Sequence, residues 1–329
     1  MKGMKTLSML IAGLGLVFGS AVSVPAQGNY PSRAVEIVIP AGTGGGMDTM
    51  VRFIQPLLEK ELGASIRVSN VSGGGHSKGI LYSNAAPADG YTVHLESGSG
   101  VIADVFNKMP IKFHEAFVPL CRLQKDTGVL WVGKNSKYKS IKEMIDYAKK
   151  NPGKFSVAVS SAGGIDDASV GHFTQLAGVT VKLIPIESGG ERIAFTIAGH
   201  VDAMYEESSA VGDLMKSGNV TPLVVFSDKR INTPEFKDVP CTGELGYKGM
   251  DALGTWRAFF VKKGTPKPIM DKLTGAFKRV YDSPTYQKYA KDNLLDITPG
   301  WLGPEDTAKL VQDCTKIYAD VFKQLGRLK

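Results

Sequence analysis

Cysteine is scarce: Cys121, Cys241 and Cys314 are the only three in 329 residues. Three thiols cannot all pair, which excludes a disulfide-stapled scaffold and leaves open one disulfide in an oxidising compartment or three buried thiols. Their spacing suits no metal site, and His76, His94, His114, His172 and His200 show no metal-ligand spacing either. There is no block of lysine and arginine and no aromatic-basic stripe, so no nucleic acid is expected as a partner. No apolar run reaches the ~20 residues of a spanning helix. Catalytic signatures are missing too. The loop Gly42-Thr43-Gly44-Gly45-Gly46-Met47 lacks the third glycine of a dinucleotide fingerprint, and Lys78 is not part of a Gly-Lys-Ser/Thr phosphate loop. Glu96-Ser97-Gly98-Ser99-Gly100 fails as a nucleophile elbow, which would need glycine at 97. No enzyme is expected, and no cofactor.

What is present begins with an export signal. Lys2 and Lys5 precede an apolar stretch over residues 7–18, and Val24-Pro25-Ala26 fits the small-residue rule for cleavage. Residues 1–26 therefore read as a signal peptide cleaved at Ala26, giving an exported product. The mature chain keeps 37 basic and 32 acidic residues, a net charge of +5 spread along its length. So mild an excess favours anionic small ligands only weakly. Roughly 300 residues suffice for two domains of ordinary size.

Two glycine-rich turns carry the most information. Pro40-Ala41-Gly42-Thr43-Gly44-Gly45-Gly46-Met47-Asp48 follows a strand-like run at 35–39, and Asn70-Val71-Ser72-Gly73-Gly74-Gly75-His76 follows another at 66–70. Turns without side chains let a ligand approach backbone N–H groups, and a helix start just beyond adds its dipole. Further strand-like runs stand at 91–95, 129–132, 155–159, 181–185 and 222–226. Helical patterns stand at 47–62, 78–86, 141–151, 168–177 and 191–198, with another opening at Pro266 and a terminal amphipathic helix from 303 to 325. This alternation predicts an α/β chain whose mainly parallel sheets are flanked by helices, with ligands at the carboxyl ends of the strands. Turn-rich stretches at 124–128 and 246–254 mark two crossings. They divide the mature chain into a first domain of 27–125 with 251–329 and an inserted second domain of 126–250.

The ordered motifs resemble the TctC/Bug family, the periplasmic solute receptors of tripartite tricarboxylate transporters. The likeness runs from Tyr30-Pro31-Ser32-Arg33 through Gly44-Gly45-Gly46-Met47-Asp48, Arg52, Asn70 and Ala85-Ala86-Pro87-Ala88-Asp89-Gly90-Tyr91. It continues through Gly199-His200-Val201-Asp202-Ala203 to Gly264-Thr265-Pro266-Lys267-Pro268. The resemblance implies a type II periplasmic-binding (Venus flytrap) fold of two lobes. It also implies a monomer that captures a small carboxylate or amino-acid-like solute and delivers it to the permease subunits; a receptor for a sensor kinase is the alternative, and an exported hydrolase a remote one. First-lobe contacts would be Gly42, Thr43, Gly44, Gly45, Gly46, Ser72, Gly73, Gly74, Gly75, His76, Ser97 and Ser99. Second-lobe contacts would be Ser160, Ser161, Ala162, Gly163, Ile165, Asp202, Tyr205 and Glu206.

The departures from the family pattern cluster around the same loops. Ala41 stands where an aromatic is usual, Val71 and Ser72 replace Arg-Pro, and His76 replaces asparagine. Ile165 is followed by Asp166 and Asp167, and Ile186-Glu187 and Glu206-Glu207 replace Tyr-Lys and Asp-Asn. The second lobe thus gains carboxylates. Either they are solvated rim residues, or the ligand carries a cationic or donor-rich part that meets them.

Overall fold

Val35–Ile39 (β1) is buried at every position, as a strand covered on both faces must be. The chain continues through α1 (Gly46–Leu62), β2 (Ile66–Asn70), α2 (Ser77–Ala85), β3 (Thr92–Glu96), α3 (Gly98–Val105), the single turn α4 (Phe113–Ala116) and β4 (Phe117–Lys125). Only Asp126 and Thr127 separate β4 from β5 (Gly128–Gly133), which is followed by α5 (Ile141–Lys150), β6 (Ser156–Val159), α6 (Ile165–Leu176) and β7 (Lys182–Pro185). Next come α7 (Gly189–Ala198), β8 (Ala203–Glu207), α8 (Ser208–Lys216) and β9 (Val220–Val225). A long return containing the 3-10 turn Met250–Leu253 leads to β10 (Trp256–Lys262), α9 (Lys267–Asp282), α10 (Pro284–Asp292) and α11 (Pro304–Gln324). This computed structural model describes residues 30–328 apart from 107, 161 and 187. The expected signal peptide and Ser161 lie outside the described residues.

Two five-stranded sheets share one plan. The first runs β2-β1-β3-β10-β4 and the second β7-β6-β8-β5-β9. In each, the fourth strand, β10 or β5, is antiparallel to both neighbours and the other pairings are parallel. The loops after β1, β2 and β3 therefore emerge at one edge of the first sheet, and those after β6, β7 and β8 at one edge of the second. β10 starts at the carboxyl edge of β3, with Ala258 opposite Glu96.

The expected strands are all present within a residue or two, and three further strands were not anticipated. β10 is buried at all but its last position and β4 at most of its length, so neither shows the alternation that marks a half-buried strand. β8 ends in Glu206-Glu207 and reads as polar.

Local chemistry explains the helix limits. Ser140 Oγ accepts the Glu143 amide at 3.2 Å as the N-cap of α5, and Glu143 Oε2 accepts the amide of the preceding Lys139 at 2.7 Å. Ile141, Met144 and Ala148 then form its buried face. α1 ends at Gly63 in the left-handed conformation, whose amide donates to Glu59.

One apolar core spans both sheets, joining Phe113, Trp256 and Phe260 of the first to Phe173, Tyr205 and Phe226 of the second. α11 lies against α3 and β4 and reaches α6. Beyond it, Arg327 pairs with Asp167 and Leu325 covers Gly171. The three cysteines are free and buried, which removes the disulfide alternative. Burial pushes the Cys314 thiol up to about 11. Among the described residues, no helix is long and apolar enough to cross a membrane.

Candidate functional site

The first glycine loop is held from below by residues of its own motif. Asp48, in the first turn of α1, accepts the Gly44 amide and the Arg52 Nε, each at 2.9 Å. Arg52 also reaches Asn70, whose side-chain amide donates to the Ala41 carbonyl at 3.1 Å. Burial works against the Asp48 charge, but the bonds from Arg52 and Gly44 outweigh it and hold the carboxyl below its ordinary value. Asp48 thus braces the loop. The α1 N-terminus itself, at Gly45, has no side-chain cap. Its first-turn N–H groups are open to an anion.

The second loop is strained into an arch. Gly73, Gly74, Gly75 and His76 all have positive φ, the last at 75° without the freedom of glycine. Ser77 Oγ donates to the Gly74 carbonyl at 2.7 Å, and Gly79 lets α2 press on Pro40 of the first loop. Below the arch lies a buried charge relay. Glu96, at the end of β3, faces His76 Nδ1 at 2.5 Å and His94 Nε2 at 3.1 Å, and His94 Nδ1 meets Ser83 Oγ at 2.9 Å. Glu96 also accepts the Ser97 and Gly100 amides, fixing the start of α3. Burial opposes its charge, yet His76 and His94 bring its pKa down to about 2. Burial likewise opposes the His76 charge, and Glu96 overrides it to raise the pKa. His76 is therefore brought to the loop, but with Nδ1 committed to Glu96. Ser97 caps α3 by accepting the Ser99 amide at 3.3 Å.

The second-sheet residues divide. The Ser160 amide donates to Asp166 at 2.7 Å and the Gly163 amide to Asp167 at 2.5 Å, so both acids brace the loop that leads into α6. Ala162 and Gly163 border a cavity of about 390 Å³ beside Phe106 and Pro185. Ile165 reaches across to the first sheet: a Cβ on Gly98 would lie 3.1 Å from its Cδ1 and 2.6 Å from the Tyr318 hydroxyl. Tyr205 is buried, its ring filling the space above Gly128. Asp202 is not brought to this edge. It precedes β8 and accepts the Ser156 amide and hydroxyl, both at 2.8 Å, at the amino ends of the parallel strands.

Three of the extra carboxylates are not rim groups. Asp166, Asp167 and Glu206 are buried, so they are not solvated rim groups. Several carboxylates of this lobe already have partners within the protein. Glu206 accepts from Arg192 Nε at 2.7 Å, Asp167 pairs with Arg327, and Glu207 accepts the Thr255 hydroxyl at 2.5 Å.

Burial, reinforced by Glu207, pushes Glu206 up to about 8 against the pull of Arg192. Burial and Glu207 likewise raise Asp126 to about 6. Folded Asp126, Glu206 and His76 thus hold protons to higher pH than they do unfolded, so stability falls as pH rises through their folded pKa values. Glu96 acts oppositely, losing its contribution as pH falls from its ordinary value toward 2. The expected result is a melting temperature higher at pH 5 than at pH 8, by ~5 °C or more, in thermal melts of the ligand-free protein. A higher value at pH 8 would contradict it.

One residue of this edge escaped the sequence reading. Arg257, second in β10, places its guanidinium on Gly46: a Cβ there would lie 2.5 Å from Nη2 and 3.3 Å from Cζ. The available signal was an arginine inside the apolar run Thr255-Trp256-Arg257-Ala258-Phe259-Phe260-Val261. Among the described residues, no group of three or more metal-ligating side chains is gathered.

Known proteins share this architecture. The chain is similar over 91% of its length to all of the periplasmic binding protein BugD, at 27% identity and a TM-score of 0.77. It is similar over 89% of its length to 99% of MatC from Rhodopseudomonas palustris, solved with bound malate, at 27% identity and a TM-score of 0.75. It also matches, over 91% of its length and 99% of the other chain, the R. palustris protein Rpa4515 solved with adipate, at 25% identity and a TM-score of 0.75. The two mixed sheets are accordingly the lobes of a type II periplasmic-binding fold. The family model described as tripartite tricarboxylate transporter family receptor matches residues 50–327, and the chain belongs to that family of solute receptors.

Proposed function

We propose that the protein captures a small dicarboxylate between its two lobes and delivers it to the membrane subunits of a tripartite carrier. The observation that carries this reading is the seam where Ile165 meets Gly98, with the glycine loops at 42–46 and 73–76 on the first-lobe side. The α1 and α6 N-termini at Gly45 and Gly164 have no side-chain caps, and the unspent amides suit carboxylate oxygens. The malate of MatC and the adipate of Rpa4515 support a dicarboxylate of four to six carbons. The lobes are residues 27–125 with 251–329 and the insertion 126–250, working as a periplasmic monomer after cleavage at Ala26. First-lobe contacts come from Gly42, Thr43, Gly44, Gly45, Gly46, Gly73, Gly74, Gly75 and Ser99. Second-lobe contacts come from Ser160, Ala162, Gly163 and Ile165.

Closure of the lobes on the ligand excludes water and adds second-lobe bonds, so ligand shifts the population toward the closed form. Mass spectrometry of small molecules released on denaturing the purified protein tests the reading. A carboxylate in stoichiometric amount is the expected finding; a stoichiometric neutral sugar or an organic cation would overturn it.

A further inference from the structure

A buried guanidinium needs an acceptor, and Arg257 has no hydrogen-bonded one among the described residues. Its side chain belongs to a residue only 9% exposed, yet among the described residues it makes no ion pair within 4.0 Å and its Nε finds no hydrogen-bond partner. Asp126 lies near enough for its charge and that of Arg257 to attract, but the two form no ion pair within 4.0 Å. The hydrogen bonds of the nearby acids go elsewhere. Asp126 accepts the Thr127 amide at 2.9 Å and the hydroxyls of Ser208 and Ser209, and Glu207 accepts from Thr255. Leaving a charged donor set desolvated and unpaired is costly, so such a group calls for a partner that is itself anionic.

The place where this cation sits sharpens the demand. Its Nη2 lies against Gly46, the first residue of α1, a 17-residue helix whose N-terminus has no side-chain cap. A guanidinium and the positive end of a helix dipole repel one another unless negative charge lies between them. Glycine at 46 lets the two approach, since a Cβ there would displace the guanidinium. Both donor sets are planar or fan-shaped arrays of N–H groups suited to carboxylate oxygens.

We propose that Arg257 and the first-turn amides of α1 form one anion site that holds a carboxylate of the ligand, making Arg257 the residue that selects an ionised acid over a neutral group of the same shape. The inference rests on the dicarboxylate reading above and adds to it a direct cationic contact, from a strand outside the glycine loops. Which end of the ligand is read first follows from it: the carboxylate at Arg257 is fixed by the first lobe before the lobes meet.

The test uses the mature full-length protein, with malate, succinate, glutarate, adipate and citrate as probes and the diamides of succinate and adipate as neutral controls. Isothermal titration and melting curves are recorded for wild type, Arg257→Gln, Arg257→Lys and Gly46→Ala. Wild type is expected to bind at least one acid and neither diamide. Arg257→Gln should weaken that binding about 100-fold, because a buried charged partner is removed. Arg257→Lys should weaken it about tenfold or more, because an ammonium keeps the charge without the planar fork. Gly46→Ala should reproduce the loss with Arg257 in place, by pushing the guanidinium aside. The ligand-free melting temperature of Arg257→Gln should stay near that of wild type, since no hydrogen bond or ion pair among the described residues is lost. Wild-type affinity in Arg257→Gln overturns the inference and leaves the receptor reading standing. A lowered ligand-free melting temperature in both Arg257 variants with affinity retained also overturns it, identifying a structural guanidinium. A wild type that binds none of the acids overturns reading and inference together.

Discussion

Glu96→Leu is expected to destabilise the protein by about 3–5 kcal/mol, because it deletes the one acceptor at the centre of a buried polar network. Glu96 is fully buried and serves four donors: the rings of His76 and His94 and the amides of Ser97 and Gly100. Leucine fills the space but accepts nothing. His76 loses the charge that favours its protonation, and the start of α3 loses its anchor. Glu96→Gln separates the two effects, since an amide keeps the shape and an acceptor oxygen but not the charge. It should cost less than leucine and bring the melting temperatures at pH 5 and pH 8 closer together, because His76 no longer gains protonation on folding. Urea titrations of the three proteins check the order. Equal stability of wild type and Glu96→Leu would mean that the relay beneath the second glycine loop holds nothing.

Gly98→Val should reduce ligand affinity about 100-fold while leaving each lobe folded, the loss expected when water-excluding closure is blocked at one point. Gly98 is the first residue of α3, and its backbone is not in the left-handed region, so a side chain there is not strained by its own conformation. What the side chain meets is Tyr318 of its own lobe and Ile165 of the other. Its Cβ would lie 2.6 Å from the Tyr318 hydroxyl and 3.1 Å from Ile165 Cδ1, and valine adds two methyl groups beyond. Tyr318 is fully buried and cannot swing into solvent, so the contact with Ile165 must open. The variant is therefore a wedge in the seam. Adding Ile165→Ala should return part of the lost affinity, since two residues in contact do not act independently. Unchanged binding in Gly98→Val would show that the seam at Gly98 and Ile165 takes no part in closure.

The fold was legible in the sequence where local signals agreed with tertiary ones. The glycine turns after β1 and β2, the Ser140 cap of α5 and the Pro266 helix start each depend on residues close in sequence, and all appear as expected. The strands that were missed depend on distant partners. β10 reads as an undivided apolar run because both its faces are covered, and β8 ends in two glutamates, of which Glu206 is buried against Arg192 and Glu207 is bonded to Thr255. The site follows the same rule. Backbone loops could be located from glycine spacing, whereas the roles of Asp202 and Arg257 turn on which end of a strand each occupies. Asp202 stands before β8, at the amino edge with Ser156, and Arg257 stands at the carboxyl edge because β10 runs antiparallel to β3. Strand direction within a mixed sheet is set by the chain's crossings. No spacing within ten residues contains it.

Calorimetric titration of the mature protein with a dicarboxylate and with its neutral diamide, side by side at one pH, bears most directly on a cleft built to hold ionised acids. The acid should saturate one site per chain and the diamide should give no heat beyond dilution. Binding of the diamide at the affinity of the acid would contradict an anion-holding cleft.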